Sequence, residues 1–361
     1  MNAEPAPWAR AIPETMRAVL MTALGGPEHL EIGRLPTPHP GRGEVLVAVR
    51  TVAANRTDIF TMRGNAATAT PLPHVLGLDP AGVVAEVGPE VTRLEPGDRV
   101  VVKPTTACGR CAYCTAGDDD ACPDLEIIGV HRQGGMAEFV AVPEASAVRL
   151  PDNVGFAEAT AIAHSFPVAL TMLRKRLGVG PEDTVLVTGA AGAVGAASVQ
   201  LAKLAGARVI AAAGGRERTQ YAGEMGADVV IDYRAKPDFA GEIRDAAGDG
   251  VTAYIESAGD PDIWSESLKA MARRGRVVVC GAHAGGAVRL DLAWLFRSRV
   301  SITGHSGSTL AAFEEVLELA REGRVRPNIH TVLPLERVRE AFGILLAHQN
   351  RGKVVLQVAA E

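Results

Sequence analysis

Four of the five cysteines fall within fifteen residues: Cys108, Cys111, Cys114 and Cys122, spaced C-x2-C-x2-C-x7-C. Four thiolates complete a tetrahedral shell and leave no open position, so such a site ties a loop together and performs no reaction. Two disulfides would require an oxidising compartment, and residues 1–16 lack the apolar run of a secretory signal. An iron–sulfur cluster shares the first three cysteines and the Cys122-Pro123 pair, but the last gap is seven residues rather than three. Zinc suits the short spacings best, with Gly109 and Gly117 helping the chain bend. Cys280 stands alone in an apolar run and reads as a buried small hydrophobe. Any reaction must therefore be sought elsewhere.

The second chemical signal is a glycine-rich turn. Thr184–Thr188 reads as a buried strand that runs into Gly189, Gly192, Ala193, Val194 and Gly195 and then into a helix. Glycines let backbone N–H groups approach a pyrophosphate, and the helix N-terminus adds partial positive charge. A second strand, Arg208–Ala212, follows at the spacing of a dinucleotide-binding unit. Its tip reads Ala213-Gly214-Gly215-Arg216-Glu217-Arg218. No carboxylate stands there to hold a ribose 2′-hydroxyl, and Arg216 and Arg218 could pair with a 2′-phosphate. NADPH is therefore expected over NADH.

The elements that position these groups divide into two textures. Up to about residue 155 the chain reads as strands and turns, among them Met16–Met21, Gly43–Val52, Ala81–Val87, Arg99–Val102 and Ala137–Val142. Beyond it, strands alternate with helices, which implies a doubly wound parallel sheet. The helices expected include Val194–Ala205, Glu217–Met225 and Ile263–Ala272, with a strand at Arg276–Cys280. The expected layout is a tail at 1–15, a β-rich domain at 16–155 with the cysteine lobe at 103–130, a Rossmann domain at 156–301, and a closing segment at 302–361. At 361 residues two domains are expected. A net charge of −5 argues against nucleic-acid or anionic-membrane partners, and no uninterrupted apolar stretch reaches eighteen residues. A cytoplasmic protein is expected.

In this order the chain resembles the medium-chain dehydrogenase/reductase superfamily from Met16 onward. Local matches are Gly97-Asp98-Arg99-Val100, the four-cysteine lobe, Gly135–Val140 and Gly352-Lys353-Val354-Val355-Leu356. The resemblance implies a GroES-like catalytic domain, a nicotinamide dinucleotide, one structural zinc and a homodimer formed through the Rossmann sheet edge, for which residues 298–303 are the candidate. It also implies cofactor contacts at Gly215, Arg216, Arg218, Tyr233, Gly281, His283 and His305.

Zinc alcohol dehydrogenases of this family hold a catalytic zinc with ligands in a Cys-Gly-Thr-Asp-like segment and a Gly-His-Glu segment. The matching segments here are Asn55-Arg56-Thr57-Asp58 and Gly77-Leu78-Asp79, with His164 near the third ligand position. Carboxamide and isobutyl groups do not replace thiolate and imidazole as ligands. Asn55 in place of that cysteine is similar to the quinone oxidoreductase and enoyl reductase branch. The implied activity is NADPH-dependent hydride transfer to an activated C=C bond or a quinone without catalytic zinc. Asn55 and Thr57 are expected to face the substrate, with His164 as a proton donor. The alternatives are a zinc-dependent alcohol dehydrogenase with unusual ligands and a catalytically idle NADPH-binding protein.

Overall fold

The computed structural model describes residues 12–64, 71–235 and 238–360; most of the tail expected at 1–15 lies outside them. The chain forms two compact units, one made of residues 1–164 and 308–361, the other of 165–307.

The first unit is built on a mixed seven-stranded sheet. Its order is Ile329–Pro334, Lys353–Gln357, Glu44–Ala54, Ala81–Val87, Arg99–Val102, Ala147–Arg149, with Phe139–Pro143 also pairing on Glu44–Ala54. The central strand Glu44–Ala54 is almost entirely buried, in keeping with its run of Val and Ala. Val47, Val49 and Val52 pack with Leu76, Met136 and Phe342 in one apolar core. Register matters more here than composition. Val354 lies opposite Ala54, and Ala81 lies opposite Thr51. Lys353, Asn55 and Asp79 are thereby brought to one end of three adjacent strands.

The second unit is a six-stranded, wholly parallel sheet. Its order is Val229–Asp232, Arg208–Ala213, Thr184–Thr188, Val251–Glu256, Met271–Val279, Ser301–Gly304. Numbered within the unit this is 3-2-1-4-5-6, the Rossmann order, and the direction of winding reverses between Thr184–Thr188 and Val251–Glu256. Leu186, Ile210, Tyr254 and Trp264 belong to its core. One expectation is corrected. The helix expected to reach Ala272 spans Pro261–Lys269. Met271 already pairs with Val251, so the parallel ladder claims the chain there. A helical run Phe156–Leu177 was not foreseen. It is long and apolar enough to cross a membrane, but 83% of its most apolar stretch is buried within the protein, so it is a core helix.

Candidate active site

The helix Arg56–Met62 begins directly after the central strand of the first unit. Asn55 occupies its N-cap, and Asp58 reaches back to accept the Asn55 backbone N–H at 2.8 Å. The other oxygen of Asp58 accepts the Gly77 N–H at 3.1 Å. The Asn55 side chain itself makes no cap hydrogen bond. Its Nδ2 donates to the Ala53 carbonyl at 3.2 Å and to the Asp79 carboxylate at 3.1 and 3.2 Å. Asp79 also accepts the Ala53 N–H at 3.1 Å.

The remaining partner is Lys353. Its Nζ donates to Asp79 Oδ2 at 2.8 Å and to Asn55 Oδ1. Asn55, Asp79 and Lys353 are all buried, Asp79 completely. A buried carboxylate is tolerated when paired and hydrogen-bonded, and this one has a cation and two further donors. Sequence reasoning missed Lys353. The signal available is a lysine directly before the apolar run Val354–Leu356 of the final strand.

His164 follows the helix Phe156–Ala163 and is partly buried. Its ring makes no hydrogen bond among the described residues. Burial, reinforced by the Lys353 charge and opposed by Asp79, lowers its pKa to about 4, so the imidazole is neutral near pH 7. A role as proton donor would thus fall to a neutral ring N–H. Asp58 is shifted the other way, up to about 7. Burial is the main cause and Asp79 adds to it, against the Asn55 and Gly77 N–H groups and Lys353. Thr57 lies in the first helical turn, partly buried, and its hydroxyl makes no hydrogen bond among the described residues. The Asn55 amide, expected to face the substrate, has its donors committed to Ala53 and Asp79. It therefore positions its neighbours.

These groups do not fit a catalytic zinc. The positions that would supply thiolate and imidazole hold an amide and the buried isobutyl group of Leu78, neither of which ligates zinc. Asp79 is already bound by an ammonium, and both oxygens of Asp58 accept backbone N–H groups.

The four cysteines do fit a metal. Their sulfurs all lie within 4.8 Å of one another, with separations of 3.5, 3.9 and 4.0 Å among them. A tetrahedral shell with metal–sulfur bonds of about 2.3 Å has sulfur–sulfur edges of about 3.8 Å. Disulfides are excluded because bonded sulfurs lie about 2.05 Å apart. N–H groups of Arg110 and Cys111 lower the Cys108 thiol to about 6, while desolvation and neighbouring sulfurs push Cys114 up to about 12. Four thiols this close need a cation to ionise together. The cluster is a structural zinc site made of four cysteines. His131 is exposed and accepts the Ile127 N–H at 2.8 Å, outside the cluster.

In the second unit, Gly189 follows the strand at φ +62, and the helix Ala193–Leu204 opens after Gly192. A Cβ on Gly195 would lie 2.3 Å from the Gly189 carbonyl oxygen, so only glycine lets the helix start this close to the turn. Ala193 and Val194 form its first turn, where free N–H groups suit a pyrophosphate. At the tip of the next strand, Gly215 caps the helix Arg216–Glu224, with Arg216 exposed and Arg218 partly buried. Tyr233 and Arg234 close over the same tip, since a Cβ on Gly214 would meet Tyr233 Oη at 2.7 Å and Arg234 Nε at 2.8 Å. Asp232 brings a carboxylate to this end, but its Oδ1 accepts the N–H groups of Gly215 and Arg234 at 2.9 and 3.0 Å. Gly281 and exposed His283 follow the strand Met271–Val279, and buried His305 follows Ser301–Gly304. Cys280 is partly buried, its thiol raised to about 12 by burial and Glu256.

Residues 41–152 match the alcohol dehydrogenase GroES-like domain and residues 193–322 the zinc-binding dehydrogenase domain. The chain belongs to the medium-chain zinc alcohol dehydrogenase family of oxidoreductases. Among its relatives, an alcohol dehydrogenase of Geobacillus stearothermophilus is 32% identical, covering 95% of this chain and 100% of its own. An acryloyl-coenzyme A reductase of Metallosphaera sedula is 29% identical, covering 94% and 99%. A crystal structure of an NAD-dependent alcohol dehydrogenase is 41% identical with a TM-score of 0.90, covering 95% and 100%.

Proposed function

We propose that this oxidoreductase uses NADPH to reduce a C=C bond conjugated to a carbonyl, or a quinone, without a catalytic zinc. The observation that carries this reading is the ammonium of Lys353 on Asp79 and Asn55, where a family metal site would need ligands. A bound reduced nicotinamide supplies the hydride. The chain's task is then to meet the negative charge that grows on the substrate oxygen. An ammonium has three donors, and two are engaged on Asn55 and Asp79. The third N–H of Lys353, the Thr57 hydroxyl and the neutral His164 ring are proposed as the donor set for that oxygen. Conjugated substrates suit such donors because their charge spreads into an enolate. The kinship with an acryloyl-coenzyme A reductase is consistent with this class.

A second reading is supported by the other relatives, most of which are alcohol dehydrogenases. The same donors would polarise a simple ketone or aldehyde, more weakly than a metal. A panel of enones, enals, enoyl thioesters, quinones, ketones and alcohols, with each nicotinamide, separates the two. Turnover confined to ketones and alcohols would favour the second reading. Cofactor binding with no turnover on any would favour an idle binding protein.

NADPH is proposed over NADH because Arg218, Tyr233 and Arg234 gather at a strand tip whose nearby carboxylate is capped by backbone amides. A homodimer through the Rossmann sheet is also proposed. Among the described residues Ser301–Gly304 pairs on one side only, and the helix before it exposes Leu292 and Phe296. A monomeric mass in solution at micromolar concentration would rule it out.

A further inference from the structure

The second unit holds a buried carboxylate that neither the pyrophosphate turn nor the reactive groups account for. Glu256 ends the strand Val251–Glu256 and is completely inaccessible to solvent. Among the described residues it forms no ion pair. Four donors converge on it instead. Oε1 accepts the backbone N–H groups of Ala258 at 2.5 Å and Gly259 at 2.7 Å. Oε2 accepts the Thr188 hydroxyl at 2.9 Å and the Tyr254 hydroxyl.

The location gives this arrangement its meaning. Thr188 is the last residue of its strand, immediately before Gly189 of the glycine turn. Thr184–Thr188 and Val251–Glu256 are the two neighbouring strands between which the winding reverses. Loops leaving such a pair diverge, and the crevice they open is where ligands of this fold bind. Glu256 spans that divergence: Oε1 holds the 257–259 loop, and Oε2 reaches across to Thr188 while also accepting Tyr254 of its own strand. Ser257 adds a parallel tie, its Oγ donating to the Thr188 carbonyl at 3.2 Å. A third loop is pressed against the same backbone: a Cβ on Gly281 would lie 2.2 Å from the Ser257 carbonyl oxygen.

We infer that Glu256 is a positioning residue of the dinucleotide site, clasping the glycine turn through Thr188 to the 257–259 loop and so fixing the crevice before cofactor arrives. Burying a carboxylate without a cation costs stability, and an apolar side chain would fill the same core at less cost. What the carboxylate adds is a link between two loops that the ladder does not connect. Preorganised loops bind more tightly because less ordering remains to be done on binding.

The inference rests on the dinucleotide reading of this unit, and the test separates the two. Thr188→Val and Tyr254→Phe each remove one hydroxyl from the same carboxylate oxygen, so a purely structural Glu256 would make them alike. Only Thr188 adjoins the turn, as the strand residue directly before Gly189. Dissociation constants for NADPH and NADH are measured by fluorescence titration, beside melting temperatures, for the full chain and both variants. Thr188→Val is expected to weaken the better-bound cofactor at least fivefold, and Thr188→Ser to restore it. Tyr254→Phe should stay within twofold of the parent while melting earlier. If Thr188→Val does not fold, Glu256→Asp replaces it with the same expectation, being one methylene too short to span both loops. Equal weakening by the two hydroxyl deletions, or no weakening by either, overturns the clasp. A parent chain that binds neither nucleotide overturns the dinucleotide reading itself.

Discussion

Lys353 Nζ lies 2.8 Å from Asp79 Oδ2 although 274 residues separate them in sequence. The pair is fully desolvated, so its two halves are not independently removable. Lys353→Met should destabilise the first unit by about 3–5 kcal/mol, because an uncompensated carboxylate remains inside. Adding Asp79→Leu should recover most of that loss in urea unfolding. Turnover should fall at least a hundredfold in both variants. Recovery of turnover along with stability would show that Lys353 serves the fold alone.

The two shifted groups beside this pair pull stability in opposite directions with pH. Asp58 has a folded pKa of about 7, above the usual 3.8, so its contribution is full below pH 3.8 and is lost as pH rises through 7. His164 has a folded pKa of about 4, below the usual 6.5, so its contribution is full above 6.5 and is lost as pH falls through 4. Asp58→Asn should therefore gain on the parent chain between pH 5 and pH 8 in urea unfolding. A constant difference across that range would contradict the buried-acid assignment. In the parent, the His164 ring should show no protonation by NMR until pH approaches 4. Lys353→Met should move that titration upward.

Cofactor choice is checked at Arg218, which sits with Tyr233 and Arg234 at the strand tip. Arg218→Ala should weaken NADPH at least tenfold more than NADH. An unchanged ratio would leave the arginines as solvated helix-start residues, and the NAD named for the 41% identical structure would then be the better guide.

Much of this was legible in the sequence where the chemistry is local. The cysteine lobe closes within fifteen residues, and the strand, glycine turn and helix at Thr184–Leu204 are contiguous. What was not legible depends on sheet register. Lys353 reads as one more residue of a terminal strand until that strand is laid antiparallel to Glu44–Ala54, placing it beside Asn55. Glu256 likewise looks like an ordinary strand-end acid until Thr188 appears on the neighbouring strand. Asn55 stands out in the sequence by type, but its amide direction follows from Asp79 and Lys353, which a linear reading does not bring near. The helix Phe156–Ala163 was missed because its residues are apolar on nearly every side, leaving no periodic stripe to read.

The proposed reaction relies on the Lys353 ammonium and needs no catalytic metal. Zinc per chain in active, purified protein, measured by mass spectrometry before and after mild chelation, tests it most directly. One zinc per chain is predicted, lost on Cys111→Ser together with a lower melting temperature. Two zincs per chain, with turnover abolished by chelation while the cysteine site stays filled, would contradict it.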